Sequence, residues 1–238
     1  MVLRDRVEGG RLLARHLMSY ARVARAGARD GGDVVVLALP RGGVPVAYEV
    51  ARALDAPLDV FVVRKIGVPG QAEMALGAIA SGGVRVLDDD LVRALQIPQS
   101  SVQAVIDREL EELERRERVY RDGRPVPEVA GRTVILVDDG LATGASMQAA
   151  LQALRRRGPA RIVVAVPVGS SDSCDAMRAL ADEVVCAWTP EPFRAVGLWY
   201  EDFAQTTDDE VRELLARAAR EVAESGTSRA RSGNARAQ

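Results

Sequence analysis

A chain of 238 residues with 47% hydrophobic residues is long enough to bury one sizeable α/β core, alone or with an added cap. Its formal net charge of −2 leaves no electrostatic footprint for duplex nucleic acid. The longest apolar runs, near 34–39 and 60–63, are strand-sized, so no membrane span is expected.

Arg4, Asp5 and Arg6 lead into no signal-type apolar region. From Asp5 to about Arg25, apolar residues recur near helical spacing at Val7, Leu12, Leu13, Leu17 and Tyr20, which predicts a surface helix. His16 inside it reads as a packing or surface residue, and 27–33, rich in Gly and charge, as a loop. Asp33 to Leu39 is a buried strand stopped by Pro40. Arg41, Gly42 and Gly43 then make an anion-friendly turn before a helix from Val44 to Leu54, the glycines exposing backbone N–H groups and the arginine adding charge.

Leu58 to Val63 is the next strand, ending at Arg64 and Lys65. The Gly- and Pro-rich stretch 66–70 predicts a mobile loop, with Glu73 to Ala80 as its returning arm and Val84 to Leu87 as a further strand. Asp88, Asp89 and Asp90 follow, but the chain resumes directly as helix with no small-residue loop, which suits a solvated helix N-terminus. Ser100 or Ser101 caps a long helix to about Tyr120, with an apolar stripe from Val102 to Val119 amid many charges. Its length exceeds what a core sheet needs, which makes it a candidate capping or homodimer-contact helix. Residues 121–130 read as a linker.

The stretch Arg132 to Ala150, RTVILVDDGLATGASMQAA, is organised as a binding site. Val134 to Val137 suits a strand covered on both faces, which puts Asp138 and Asp139 at its carboxyl end, where open α/β sheets bind ligands. Gly140 and Gly144 let the backbone turn, Ala142 and Ala145 stay out of the way, and Thr143 and Ser146 add hydroxyls ahead of a helix start. Carboxylates cannot hold a bare phosphate, but they accept from sugar hydroxyls or neutralise a divalent cation. Together these features describe a sugar phosphate lying across the strand end.

VILVDDGLATGAS resembles the phosphoribosyl pyrophosphate (PRPP) signature of the type I phosphoribosyltransferases. The resemblance implies that Asp138 and Asp139 hold the ribose hydroxyls and that Gly140 to Ser146 hold the 5-phosphate. Gly140 departs from the bulkier apolar residue usual in that family. The turn at Arg41, Gly42 and Gly43 is similar to the family's pyrophosphate loop, and Arg64 and Lys65 match basic residues that neutralise the leaving group from a flexible loop. The implied reaction transfers a phosphoribosyl group from PRPP to a small nitrogen acceptor, with Mg²⁺ on the PRPP oxygens and at Asp138 and Asp139 either directly or through PRPP. A non-catalytic PRPP-sensing regulator is the alternative. Members acting on 6-oxopurines carry an aspartate where this chain has Ala142, which implies weak or no use of hypoxanthine and guanine and makes Glu73 a candidate proton acceptor.

After the motif come a helix to about Arg157, a strand at 161–166, a helix near 174–181 and a short strand at 183–187. Cys174 and Cys186, with His16, lack zinc-site spacing and point to a reducing cytoplasmic setting. Residues 188–205, WTPEPFRAVGLWYEDFAQ, read as an aromatic lid over an acceptor or as an edge packed on the core. Thr207 or Asp208 caps a last helix to about Val222, and 224–238 should be disordered. Strand and helix alternate throughout, predicting a single domain over 1–223: a doubly wound, mostly parallel sheet of about five strands, a small hood at 188–205 with the N-terminal helix, and an extra long helix. No G-x-S-x-G elbow and no Walker loop is present.

Overall fold

The computed structural model describes residues 1–21, 34–69 and 71–234, with side chains except at 71–73 and 225–234. The predicted loop at 27–33 and the end of the predicted N-terminal helix lie outside the described residues. The strands VVVLA (β1, Val34–Ala38), LDV (β2, Leu58–Val60), TVILV (β6, Thr133–Val137), RIVVAV (β7, Arg161–Val166) and EVVC (β8, Glu183–Cys186) form one parallel sheet in the order β2-β1-β6-β7-β8. Its central strands are apolar at almost every position because helices cover both faces. Val34, Val36, Ile135 and Val137 face one core, Val35, Leu37, Val134 and Leu136 the other, as the period-2 pleat requires.

Among the described residues, helices α1 (Arg6–His16), α2 (Gly43–Leu54) and α7 (Asp208–Asn234) line the first face. Asp5 caps α1 by accepting from the Glu8 N–H at 2.8 Å. A Cβ on Gly10 would sit 2.7 Å from the Val46 carbonyl oxygen, so α1 rests on α2 only because Gly10 has none. His16 is exposed, as expected. The second face carries α5 (Ala145–Arg155) and α6 (Ser171–Arg178).

After β2 the chain leaves this sheet. β3 (Val63–Val68), β4 (Gln71–Ala80) and β5 (Val84–Leu87) form a separate antiparallel sheet, with Val63 opposite Ala80 and Gly77 opposite Leu87. The predicted mobile loop and its arm are therefore a paired hairpin, and Arg64, Lys65 and the Glu73 backbone are strand residues. The reason is burial: Ile66, Leu76 and Ile79 are fully enclosed, so the hairpin is held by its own apolar face. Asp88 caps the short α3 (Asp89–Ala94) by accepting from the Leu91 N–H, which accounts for the acidic run.

The long α4 (Gln99–Arg121) spends its stripe inside the molecule, packing on the hairpin and on α7 with Ile106 and Leu113 buried. At its end Arg121, only 3% exposed, reaches Asp59 at 3.1 Å, Glu117 at 2.5 Å and the Val60 carbonyl at 2.8 Å, fastening the helix where β2 ends. Thr207 and Glu210 make a reciprocal capping box for α7. That helix, expected to end near Val222, runs on to Asn234. Cys174 and Cys186 are joined in a disulfide, a pairing not expected from the sequence. The β7–α6–β8 crossover brings their Cα atoms to 6.7 Å, a proximity the spacing alone does not reveal. Among the described residues no helix is long and apolar enough to cross a membrane.

Candidate functional site

The site forms where β1 and β6, neighbours in register from Val34–Thr133 to Ala38–Val137, end side by side. Leu39 donates its N–H to the Val137 carbonyl at 2.9 Å, and the cis Pro40–Arg41 peptide opens the turn into α2. A Cβ on Gly42 would lie 2.0 Å from Asp139 Oδ2, and one on Gly43 2.7 Å from the Val137 carbonyl oxygen. Close approach, not an unusual φ, is what requires glycine at these two positions.

Asp138 and Asp139 are half-buried, and Asp138 Oδ1 accepts from the Asp139 N–H at 2.8 Å. Burial and then repulsion from Asp139 push the Asp138 carboxyl well up from the usual carboxylate range. Burial also raises Asp139, opposed by the Arg6 guanidinium. Arg6 Nε donates to Asp139 Oδ2 at 2.8 Å, and the buried Tyr200 hydroxyl donates to the Asp139 carbonyl at 2.6 Å. Burial and the neighbouring Asp139 raise the Tyr200 phenol, so it stays a donor.

Beyond the pair, Leu141 donates to the Val168 carbonyl and its own carbonyl accepts from Ser170, both at 2.9 Å. The Ala142 carbonyl accepts from the Ser173 hydroxyl and, at 3.2 Å, from Ser170 Oγ. Gly144 enters α5 with φ 73°, a left-handed conformation natural to glycine, and so presents the helix N-terminus to the loop. Ala142, Thr143 and Ser146 are exposed around it, with Ala145 half-buried. A Cβ on Gly140 would fall 2.4 Å from Val196 Cγ1, so the hood occupies the volume that a bulkier residue would need.

The structure thus brings together Gly42, Gly43, Asp138, Asp139 and the loop 140–146. Lys65 is exposed near the start of α5, lining grooves of about 850 and 830 Å³ with Ala145 and Ser146 respectively. Arg64 lines the second groove but is paired with Glu109 at 2.5 Å, and Arg41 turns to Asp208 at 3.7 Å. The Glu73 side chain lies outside the described residues. Sequence reasoning missed Arg6, whose signal was lost among the arginines of an amphipathic helix, and Tyr200 and Phe203, seen only as part of an aromatic stretch. Those aromatics pack on one another: Trp188 on Trp199 at 4.8 Å, Phe193 on Trp199 at 6.4 Å, Tyr200 on Phe203 at 5.1 Å. Among the described residues no three His, Cys, Asp or Glu side chains gather as a metal cage.

The family model described as "Phosphoribosyl transferase domain" matches residues 5–195. This chain belongs to that family. It is 50% identical over 222 residues to the protein named "Putative phosphoribosyl transferase" in Mycobacterium tuberculosis strain H37Rv, covering 93% of this chain and 48% of that one. A counterpart in strain CDC 1551 matches equally. The chain spans about half the length of these curated relatives. The crystal structure of TT1426 from Thermus thermophilus is similar with a TM-score of 0.76 at 46% identity, over 90% of this chain and 98% of that one. Within the family, the parallel sheet flanked by helices is the type I phosphoribosyltransferase fold.

Proposed function

We propose that this phosphoribosyltransferase-family domain moves the 5-phosphoribosyl group from PRPP to a nucleobase-like nitrogen acceptor in the cytoplasm, releasing pyrophosphate. The observation that carries the reading is the abutment of Gly42 on Asp139, since it sets a glycine turn suited to one anion against carboxylates suited to a sugar. Asp138 and Asp139 would accept from the ribose hydroxyls, and the N–H groups at 142–146 with the α5 N-terminus would hold the 5-phosphate. The turn at 41–43 would hold the pyrophosphate.

As the bond from the anomeric carbon to pyrophosphate breaks and the bond to the acceptor nitrogen forms, positive charge develops on the sugar and negative charge on the leaving group. Fixed N–H dipoles and Lys65 would stabilise the latter. Any acceptor proton leaves to solvent or to Glu73, because Ala142 cannot take it; hypoxanthine and guanine should be poor acceptors for that reason. Two carboxylates, one already paired with Arg6, make no cage that would hold Mg²⁺ by protein ligands alone. Any Mg²⁺ would ride on PRPP oxygens.

The test is calorimetry with PRPP on the wild type and on Asp138→Asn/Asp139→Asn, together with pyrophosphate release across a panel of nucleobases. Binding should vanish in a folded double variant; unchanged affinity would sink the site. A PRPP sensor is the second reading, favoured by Arg41 and Arg64 being engaged with Asp208 and Glu109. It is chosen if PRPP binds and no acceptor releases pyrophosphate.

A further inference from the structure

Arg6 stands in the first turn of α1, yet its side chain is spent in the candidate site. Besides donating from Nε to Asp139 Oδ2 at 2.8 Å, it donates from Nη1 to the Ala204 carbonyl at 2.7 Å. Its guanidinium carbon lies 4.0 Å from the centre of the Phe203 ring. The Arg6 and Asp139 side chains are 11% and 16% exposed, so solvent screens their attraction little. A Cβ on Gly42 would come within 3.3 Å of Arg6 Nε, which places the guanidinium against the glycine turn as well as the acidic pair.

These contacts come from separate parts of the chain, and they give the guanidinium one orientation. A carboxylate holding such a charge has little remaining attraction for a second cation, because a divalent ion at Asp139 would sit beside a fixed positive charge in a poorly screened place. A neutral hydroxyl meets no such repulsion and can donate to Oδ1, the oxygen that Arg6 does not touch.

We propose that Arg6 is a positioning residue of the PRPP site: it turns the Asp139 carboxylate toward a sugar hydroxyl and keeps a metal ion off that carboxylate. The inference rests on the PRPP reading above. It assigns the standing cation of the site to the protein itself, and leaves divalent metal to the phosphate oxygens of the substrate.

The experiment uses the full chain as wild type, Arg6→Gln, Arg6→Lys and Asp139→Asn, each titrated by calorimetry with MgCl₂ alone and with PRPP. Arg6→Gln should weaken PRPP by roughly tenfold to a hundredfold, the range for losing a hydrogen bond to a charged group. Arg6→Lys should recover part of that loss, because it restores charge without the planar fork that reaches Ala204. Mg²⁺ alone should not bind the wild type and should bind Arg6→Gln more readily. PRPP affinity in Arg6→Gln equal to or above wild type would overturn the proposal, making Arg6 a bystander or a displaceable latch. Mg²⁺ binding to the wild type that Asp139→Asn removes would overturn it too. Should Arg6→Gln not fold, Arg6→Lys decides, and unchanged PRPP affinity there counts against the proposal. A wild type that binds no PRPP refutes the PRPP reading itself and this inference with it, whereas PRPP binding insensitive to Arg6 refutes the inference alone.

Discussion

Gly140→Ala tests whether the hood is docked on the loop at 140–146. The added Cβ would lie 2.4 Å from Val196 Cγ1, 2.8 Å from Cγ2 and 3.1 Å from Cβ. The first two distances are impossible without movement, and the third is tight but tolerable. Gly140 has no positive φ, so backbone strain does not confuse the result. Overpacking of this kind costs typically ~2 kcal/mol. For a chain of this size that is a melting temperature lower by about 4–8 °C. Val196→Ala alone removes two half-buried methyl groups, at a cost of about 1 kcal/mol. It also removes the clashing atoms, so Gly140→Ala/Val196→Ala should melt near Val196→Ala and not at the additive position, a coupling of about 2 kcal/mol. Thermal melts of the four proteins suffice. Additive losses, or a Gly140→Ala protein that melts with the wild type, would show that the hood does not press on the loop.

The remaining predictions concern the parts that hold the site in place. Arg121→Met leaves Asp59 buried without its cation, and should cost about 3–5 kcal/mol in urea unfolding; a loss under ~1 kcal/mol would refute a structural role. Asp59 is already raised by burial against the pull of Arg121, so the variant's carboxyl should rise further. A raised native carboxyl means the unfolded chain binds fewer protons between the two values, so the variant's deficit should grow as pH climbs from the unfolded value through the native one. A deficit that shrinks over that window contradicts the assignment. Cys174→Ala/Cys186→Ala should lose about 3 kcal/mol under oxidising conditions, given the short loop between the cysteines. Dithiothreitol should lower the melting temperature of the wild type and leave the variant unmoved; equal response in both would show the bond is not formed.

The parallel sheet was legible because its strands are continuous apolar runs, a pattern that both-face burial dictates whatever the helices are. The acidic pair and its loop were legible because they are contiguous, so spacing in sequence is spacing in space. What was not legible depends on pairing between distant segments. The hairpin from Val63 to Ala80 has a Gly- and Pro-rich middle that reads as a loop, and only the burial of Ile66 and Leu76 from outside shows it is a sheet. Arg41 and Arg64 were read as site cations from position, but Asp208 and Glu109 approach them from helices far along the chain. Arg6 is the converse case: a helix arginine with no local mark, placed in the site by the docking of α1 on α2.

That docking also decides what the hood can do. Leu3 donates to the Trp199 carbonyl at 2.9 Å and accepts from the Glu201 N–H at 2.8 Å, so the N-terminus and residues 199–201 form one ribbon beside the acidic pair. From this ribbon Tyr200 holds the Asp139 carbonyl and Phe203 lies under Arg6, while Val196 just before it fills the space at Gly140. Each aromatic ring of the segment is occupied by another ring, a guanidinium or the core around Leu3 and Val168. A ring so engaged is not available to stack on an acceptor without giving up contacts that order the carboxylates. The even choice between lid and packed edge therefore falls to the packed edge. Under the proposed function, selection of an acceptor would rest with the open side of the loop at Ala142 and with the grooves along the hairpin where Lys65 is exposed. Acceptor recognition built there would rely on hydrogen bonds and charge, and its selectivity should respond to polar substitutions along those grooves more than to any change of ring in 188–205.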